Sequence, residues 1–497
     1  MKNLFSNYSL LFLCCVLLAC KKDKTLSDTI TETPQTSIIS PTTVVTNTSN
    51  GGGTTVATST TSTTSSTGGD AFALDEPVVL AYFPSWSESY VSAGQPSKLR
   101  DIPAFVNHVF LAFAKPNLSY LKGSYDLSGT GIEVPYDGCT LKESVAALKA
   151  KGINVILSVG GETYWRDSSS YNIDYQQIKD LVDDIGFAGI DWDFEPDGSF
   201  QQIGNELNIN RFITFFNESR SIMPKEEGYI LACAPAGVGA LGGQFNDDTS
   251  SPFRFDQRNT LTGESDDLLY QGTQSSNGIN LFGFGSTGHM IPVIKAVGDK
   301  IDLIAYQGYN TGGSNNRKIM YDAYAYYAAQ YDFVIAAGVH YPPEPWGPFY
   351  TYTHENIAAL SQHIYSHPER NERNDGIMIW QLLLEGNESS AYSYLNTASK
   401  ALNGTPIAAA VEEANLFTLE PYSGGASGCE EGAGGSASLL CNIVVYNSAN
   451  QYPNAGTQVV YNCQIWQNKW WINPNEIPGE NDGWEKIGDC NEGEGCS

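Results

Sequence analysis

Short apolar runs recur between residues 73 and 403 and alternate with segments of helix length. Such uninterrupted apolar runs are typical of parallel strands that are buried on both faces. The runs predict eight strands, at 78–83, 108–113, 154–159, 189–195, 229–234, 302–307, 333–338 and 376–381. The intervening segments, such as 139–152 and 354–367, predict helices. Eight strand–helix repeats predict an α/β fold, a (β/α)8 TIM barrel, and a doubly wound sheet is the alternative.

The fourth run differs from the others because acids occupy every second position. Residues 186–196 read GFAGIDWDFEP, with Asp191, Asp193 and Glu195 separated by single apolar residues. A strand sends alternate side chains to opposite faces, so the three carboxyls share one face at a spacing of about 7 Å. A half-solvated antiparallel strand shows the same alternation. Between helices, however, inward acids are costly unless they serve a site. Crowding raises the pKa of at least one of them, as general-acid chemistry requires.

The N-terminus predicts export. The apolar run LLFLCCVLLAC at 10–20 follows Lys2 and is too short to span a bilayer. Its end resembles a bacterial lipobox, which implies a signal peptide at 1–20, cleavage before Cys20 and a lipid on that cysteine. A plain secretory signal is the alternative. The Ser/Thr-rich residues 21–72 predict a flexible linker. We therefore expect a lipoprotein anchored to the outer membrane and displayed at the cell surface, or a secreted protein.

Charge and composition limit the classes of ligand that we expect the protein to bind. The formal net charge of −28 argues against nucleic acid and anionic lipid surfaces as ligands. The 28 Tyr, 21 Phe and nine Trp suit sugar rings as well as ordinary cores. The six histidines show no metal-ligand spacing, so we expect no metal site. We also expect that the protein needs no cofactor and is a monomer.

The barrel motifs resemble glycoside hydrolase family 18, the chitinases. Residues 188–195 match the strand-4 pattern D-G-x-D-x-D-x-E, except that Ala188 replaces its first Asp. Residues 158–161 match the strand-3 pattern S-x-G-G, and residues 307–310 are similar to the strand-6 pattern Q-x-Y-N. Trp380 ends strand 8, where the family places a Trp under the cleaved sugar. These motifs occur in the family's order and span the whole barrel.

The resemblance implies a chitinase that cleaves β-1,4 bonds between N-acetylglucosamine units by substrate-assisted, retaining hydrolysis. Glu195 is the expected acid and base, and Asp193 is expected to orient the acetamido group of the substrate. We expect Asp191 to share a proton with Asp193, and Tyr309 to bind the acetamido carbonyl. The expected substrate contacts are Gln307, Asn310, Trp380, Tyr82, Phe113, Gly160 and Gly161. In the family, an Asp at the position of Ala188 usually holds the charge of the next Asp. Its absence here implies that the activity depends on pH in a different way.

Two alternatives remain open for the function. One is an endo-β-N-acetylglucosaminidase that trims N-glycans, since such enzymes share the strand-4 acids. The other is a non-catalytic lectin on the same barrel, although such relatives usually lack the acid at Glu195. Within the chitinase reading, the short connection at 339–375 favours an open groove and internal cleavage, as in an endo-chitinase.

The C-terminal region predicts a second, small module. Five of the ten cysteines lie in the last 70 residues, which predicts a disulfide-containing β module at 438–497 after a linker at 404–437. We expect Cys441–Cys490 to close its ends. The run YPNAGTQVVYNCQIWQNKWW resembles chitin-binding modules of carbohydrate-binding families 5 and 12. A module this small cannot bury all its large aromatics. The expected ligand-facing aromatics are Tyr446, Trp466, Trp470 and Trp471, and a protein-contact patch is the alternative.

Overall fold

The computed structural model describes most of the predicted barrel and part of the C-terminal module. The described residues are 76–92, 97–196, 205–242, 248–254, 268–269, 288–311, 313, 315–341, 350–370, 373–383, 390–422, 446, 448, 452, 456–462 and 464–489. The predicted signal with Cys20, the linker at 21–72 and the Cys441–Cys490 pair lie outside them. In these ranges, no helix combines the length and the apolar character that a membrane span needs.

Eight parallel strands close into a barrel in chain order. They are β1 Val79–Pro84, β2 His108–Ala114, β3 Asn154–Gly160, β4 Gly189–Asp193, β5 Ile230–Cys233, β6 Leu303–Ile304, β7 Val334–His340 and β8 Gly376–Trp380. Each lies within one of the predicted runs or extends it by one or two residues, so the predicted barrel is confirmed and the doubly wound sheet is wrong. Every residue of β1, β4, β5 and β7 is buried, as expected for strands covered on both faces.

Nine helices are described around the barrel. They are α1 Ser85–Ser92, α2 Gly138–Ala150, α3 Tyr175–Ile185, α4 Glu206–Ile222, α5 Met290–Val297, α6 Arg317–Tyr331, α7 His354–Ser366, α8 Ala391–Leu402 and α9 Ile407–Asn415.

Helix α3 shows how local sequence fixes an element next to the site. The Asp174 side chain accepts a hydrogen bond from the Gln177 amide and caps the first turn. Gly186, with φ of 86°, ends the helix in the left-handed conformation that glycine adopts freely. Four apolar residues at spacings of three, one and three positions form its buried face, namely Ile178, Leu181, Val182 and Ile185. The chain is thereby turned directly into β4, which carries the acids.

The barrel domain continues beyond residue 403, the boundary that the sequence predicts. Helix α9 lies in the predicted linker, and its Ala410 packs with Ala358 of α7 and Ala401 of α8. Further along, the ring of Phe417 lies 5.3 Å from that of Phe105. The predicted linker at 404–437 is therefore wrong up to residue 422, because a short apolar helical face in it packs against the barrel helices.

A separate antiparallel sheet forms the described part of the C-terminal module. Its strands are β9 Gln458–Tyr461, β10 Gln464–Asn468 and β11 Trp484–Asp489, in the order β11-β10-β9. Its small core contains Tyr452, Val459, Ile472 and Trp484. Elsewhere, Cys139 at the start of α2 is disulfide-bonded, whereas Cys233 on β5 is buried and free.

The module aromatics divide into packed and exposed rings. Trp470 and Trp471 are 52% and 51% exposed. Tyr446 packs against the core, with its ring 5.8 Å from that of Tyr452 and its hydroxyl buried. Trp466 is also partly buried against this core, and its indole N–H donates to the Tyr461 carbonyl at 3.3 Å. Tyr446 and Trp466 are therefore partly packed, whereas Trp470 and Trp471 are about half exposed.

Substituting Gly189 by Ala should destabilise the barrel strongly. Gly189 has φ of 154°, and an added Cβ would lie 1.9 Å from the Ile230 carbonyl oxygen of the neighbouring strand. Strain and overpacking together should cost about 3 kcal/mol or more in the free energy of unfolding. The matched control is Gly152→Ala, where φ is 80° but nothing lies within 4 Å of the added Cβ. Urea unfolding should show a clearly smaller loss for the control, and equal losses would contradict the steric argument.

Candidate active site

The three acids lie in the carboxyl-terminal part of β4 and directly after it, and they face the interior of the barrel. Asp191 and Asp193 belong to β4 and are 0% and 2% exposed, and Glu195 follows the strand. A cleft of about 340 Å³ opens over them. Its lining residues are Trp86, Phe113, Glu133, Glu162, Thr163, Tyr164, Asp193, Glu195, Gln307, Tyr309, Asn310, His340 and Trp380. The structure thus brings residues from distant motifs into one cleft.

Asp191 lies beneath the cleft and is held by hydroxyl groups. Its Oδ2 accepts hydrogen bonds from Tyr82 at 2.9 Å and from Ser158 at 2.6 Å. Its Oδ1 is buried and has no hydrogen-bond partner among the described residues. Burial, together with the charge of Glu195, raises the pKa of Asp191 to about 7, although the two hydrogen bonds act in the opposite direction. This carboxyl therefore titrates near neutral pH.

Asp193 and Glu195 form a pair that shares the amide of Gln307. Gln307 Nε2 donates to Asp193 Oδ1 at 3.1 Å, to Glu195 Oε1 at 3.2 Å and to the Ala234 carbonyl at 3.2 Å. The two carboxyls also hydrogen-bond each other. Burial, then the charges of Glu195 and Asp191, raise the pKa of Asp193 well above its usual range. Burial likewise raises the pKa of Glu195, although its hydrogen bonds oppose the shift.

This pairing corrects one expectation about the acids. The resemblance implies that Asp191 shares a proton with Asp193, but the free Oδ1 of Asp191 makes no hydrogen bond to any described residue. Asp193 instead bonds to Glu195. The physical reason is that Gln307 attracts both of those carboxylates to one amide, whereas Tyr82 and Ser158 retain Asp191.

Ala188 replaces an Asp of the family pattern at the start of β4. It is only half-buried and packs against the core at the start of β4. Two residues lie between it and Asp191, and the two Cα atoms are about 10 Å apart along an extended strand. The altered pH dependence that the resemblance implies for the missing Asp stays a prediction.

Tyr309 is buried beside the acids and stays protonated. It is 4% exposed, and burial followed by the charges of Asp193 and Glu195 raises its pKa well above the usual value. Its ring meets that of His340 at 5.1 Å and 71°. The neighbouring Asn310 has φ of 54°, and its Oδ1 is buried with no hydrogen-bond partner among the described residues. A hydroxyl donor and an amide acceptor are thus available at one side of the cleft.

Stacked aromatic rings form the other side of the cleft. The rings of Phe113 and Trp380 are 5.8 Å apart at 17°, and those of Trp86 and Phe113 are 5.7 Å apart at 26°. Tyr82 meets Trp380 edge-on at 5.1 Å. Trp380 remains partly exposed, so its ring is available to the face of a sugar.

Two glycines allow these parts to approach each other. A Cβ on Gly160 would lie 2.3 Å from both the Asp193 carbonyl oxygen and Trp165 Nε1. That carbonyl accepts hydrogen bonds from the Gly161 amide at 2.9 Å and from Trp165 Nε1 at 2.6 Å. A Cβ on Gly161 would lie 2.6 Å from the Phe113 ring. Both positions therefore shape the site through the absence of a side chain.

Six residues of the cleft are missing from the sequence-based site, namely Trp86, Glu133, Glu162, Thr163, Tyr164 and His340. Trp86 lies two residues after β1 and His340 ends β7, and the carboxyl end of a strand is where a barrel places its site residues. The other four lie in the connections that follow β2 and β3. No periodic pattern marks them, so the sequence gives no comparable signal.

Comparison with known proteins places the chain near chitinases. No family model matches the sequence. A chitinase of Plasmodium falciparum is 29% identical over 342 residues, which cover 64% of this chain and 84% of that protein. The chain is a relative of chitinases. Chitinase Chi52 of Paenibacillus xylanexedens is 26% identical over 236 residues, which cover 46% of this chain and 38% of that protein.

The solved structures that resemble the chain include chitinases. A crystal structure of a family 18 chitinase from Pseudoalteromonas aurantia is 19% identical, with a TM-score of 0.39, and the match covers 65% of this chain and 99% of that one. The chitinase relatives found by sequence and the paired acids of the barrel support a glycoside hydrolase with chitinase function.

Substituting Asp191 by Asn should flatten the pH dependence of stability. The pKa of Asp191 is about 7 in the folded protein, against about 4 for an ordinary Asp in an unfolded chain. The unfolded chain therefore loses this proton first, and the stability of the wild type should fall as the pH rises from about 4 to about 7. Asn cannot titrate, so the variant should lose about 4 kcal/mol less over this interval.

Chemical unfolding at pH 4 and pH 8 checks this. Asp299→Asn, an acid whose side chain is 76% exposed, is the control and should keep the wild-type slope. An Asp191→Asn slope equal to that of the wild type would contradict the assigned pKa.

Proposed function

We propose that the protein is a chitinase that hydrolyses β-1,4 bonds between N-acetylglucosamine units by substrate-assisted, retaining catalysis. The observation that carries this proposal is the position of Glu195. It lies in the cleft with a raised pKa, bonded to Gln307 and Asp193, and shares that cleft with Tyr309 and Trp380. An acid, a buried hydroxyl donor and a flat apolar ring are the groups that this reaction needs.

The first step is protonation of the leaving oxygen. In the free protein the hydrogen bond between the acids raises the pKa of Asp193 and lowers that of Glu195, so the shared proton favours Asp193. When the acetamido N–H of the substrate donates to Asp193, the anionic form of Asp193 is stabilised. The proton then passes to Glu195, which donates it to the glycosidic oxygen.

The second step is attack by the substrate itself. The acetamido carbonyl oxygen forms a bond to the anomeric carbon as the leaving group departs, which yields a cyclic oxazolinium ion. The Tyr309 hydroxyl, kept protonated by its surroundings, orients that carbonyl oxygen. Trp380 supports the distorted sugar ring, and the anionic Asp193 stabilises the positive charge. Gln307 and Asn310 contribute amide groups at the same side.

The third step is hydrolysis of the cyclic intermediate. Glu195, now an anion, removes a proton from an incoming water whose oxygen attacks the anomeric carbon. The carbon–oxygen bond of the cyclic ion breaks and the acetamido group is restored. Two displacements at one carbon give net retention. The short 339–375 connection supports internal cleavage of the chain, and we propose an endo mode on that basis.

The C-terminal module and the N-terminus complete the proposal. We propose that the module binds chitin through the half-exposed Trp470 and Trp471, whose rings can stack on sugar faces. Their neighbour Lys469 lies 5.9 Å from the Trp470 ring. We also propose that the signal exports the protein, and that Cys20 anchors a monomeric enzyme to the outer membrane at the cell surface.

Substituting Glu195 by Gln should abolish most of the hydrolysis. Gln keeps the shape but cannot donate or accept the catalytic proton, so kcat on colloidal chitin should fall by about two to four orders of magnitude. Glu226→Gln, an exposed acid outside the cleft, should retain wild-type activity. Unchanged turnover in Glu195→Gln would refute the assignment.

The products identify the substrate class. Wild-type protein should release N-acetylglucosamine oligomers from colloidal chitin and leave a high-mannose glycoprotein intact. Release of the glycan instead would favour the endo-β-N-acetylglucosaminidase. Binding without any product from either substrate would favour a lectin.

Substituting both Trp470 and Trp471 by Ala should weaken attachment to insoluble chitin. Each stacked ring contributes contact area that Ala lacks, so the bound fraction in a pull-down should fall by at least about tenfold. Hydrolysis of soluble oligomers should remain unchanged, because these rings do not line the cleft. Full retention on insoluble chitin would show that the exposed pair is not the binding surface.

A further inference from the structure

Asp322, His363 and His367 converge between two outer helices. Asp322 lies on α6, His363 lies on α7, and His367 directly follows α7. The Nε2 atoms of His363 and His367 lie 2.5 Å and 3.2 Å from Asp322 Oδ1. Their donor atoms all lie within 4.8 Å of one another. The sequence expectation of no metal-ligand spacing overlooks this pair of histidines, which are four residues apart.

The three donors fit a divalent transition ion. Imidazole nitrogen and carboxylate oxygen are ordinary zinc ligands. Ligands of a tetrahedral zinc ion, each 2.0–2.1 Å from the metal, lie about 3.3 Å apart. The His367–Asp322 separation of 3.2 Å already has that value, and the His363–Asp322 separation of 2.5 Å would need to widen by less than 1 Å. The donor atoms are therefore close to a binding arrangement before any ion arrives.

The donors can be reached from solvent. The side chains of Asp322 and His363 are 24% and 23% exposed, so an ion from solvent can reach them.

A neighbouring ring supports both histidines. The Tyr321 ring meets His363 edge-on at 5.9 Å and His367 edge-on at 5.3 Å. Tyr321 itself is fixed because its hydroxyl donates to Asp375 at 2.7 Å, next to β8. Packing that fixes the rings of metal ligands reduces the entropy lost on binding. Tyr321 therefore packs against both histidine rings and connects them to the barrel through Asp375.

We propose that Asp322, His363 and His367 bind Zn²⁺, with water as a fourth ligand, and that the ion links α6 to the end of α7. This site is separate from the cleft, because none of the three residues lines it. Its expected effect is on the stability of the barrel wall, since a ligand that binds only the folded state raises the unfolding midpoint.

Calorimetric titration of the full chain with Zn²⁺ tests the proposal. The protein is freed of metal with a chelator and kept without reductant, so that disulfide-bonded cysteines do not compete. We expect one ion per chain and a rise in the unfolding midpoint with Zn²⁺ concentration. His363→Gln and His367→Gln should each bind about 100-fold more weakly, because each loses one of three protein ligands.

His354→Gln is the matched control, because it removes a histidine from the same helix outside the cluster. His354 bonds to Ser393 at 2.9 Å, so its loss should leave Zn²⁺ affinity unchanged. Equal weakening in all three variants, or stoichiometric binding that survives the His363→Gln/His367→Gln double variant, would overturn the proposal. So would a wild-type protein whose midpoint does not respond to Zn²⁺, which would leave the cluster as a hydrogen-bonded ion pair only. None of these outcomes depends on chitin hydrolysis.

Discussion

Repulsion among three carboxyls inside a closed barrel is the constraint on which the site depends. Asp191, Asp193 and Glu195 share one strand face away from bulk water, so they cannot all carry charge. The protein compensates for this repulsion in two different ways. Asp191 receives two hydroxyl donors, whereas Asp193 and Glu195 share an amide and a proton. Burial nevertheless raises all three pKa values, against the hydrogen bonds from the hydroxyls and the amide, and this keeps protons available where the cleft opens.

The strand that holds the acids is anchored from its opposite face. Trp192, between two of the acids, donates its indole N–H to Ser219 of α4 at 3.1 Å, and its ring lies 4.8 Å from Phe215 on the same helix. Because side chains alternate along β4, the acids lie on the face toward the barrel interior, and Trp192 lies on the face toward α4. The apolar residues of β4 are buried against α4, and the energy of that burial offsets the cost of turning carboxyls inward.

The sequence predicts the barrel well because parallel strands are apolar along their whole length, and the alternation of acids identifies the inward face of β4. Contacts between distant residues are harder to predict. The partner of Asp193 depends on Gln307, which is 114 residues away. Tyr446 looks like an exposed module aromatic until its neighbours in the folded sheet are known. His363 and His367 have visible spacing, but the third donor, Asp322, comes from another helix.

A count of hydrogens explains why the acidic pair keeps its proton. Gln307 Nε2 carries two hydrogens, yet three oxygens lie within 3.2 Å of it, on Asp193, Glu195 and Ala234. The amide therefore cannot satisfy both carboxylates and the carbonyl at once. A carboxyl proton held between Asp193 and Glu195, which hydrogen-bond each other, supplies the missing donor. In the proposed mechanism, an acetamido N–H that reaches Asp193 supplies a replacement donor, so binding of an N-acetylated sugar frees the proton for Glu195. On this proposal, a sugar without that group would leave the proton on Asp193 and would not be cleaved.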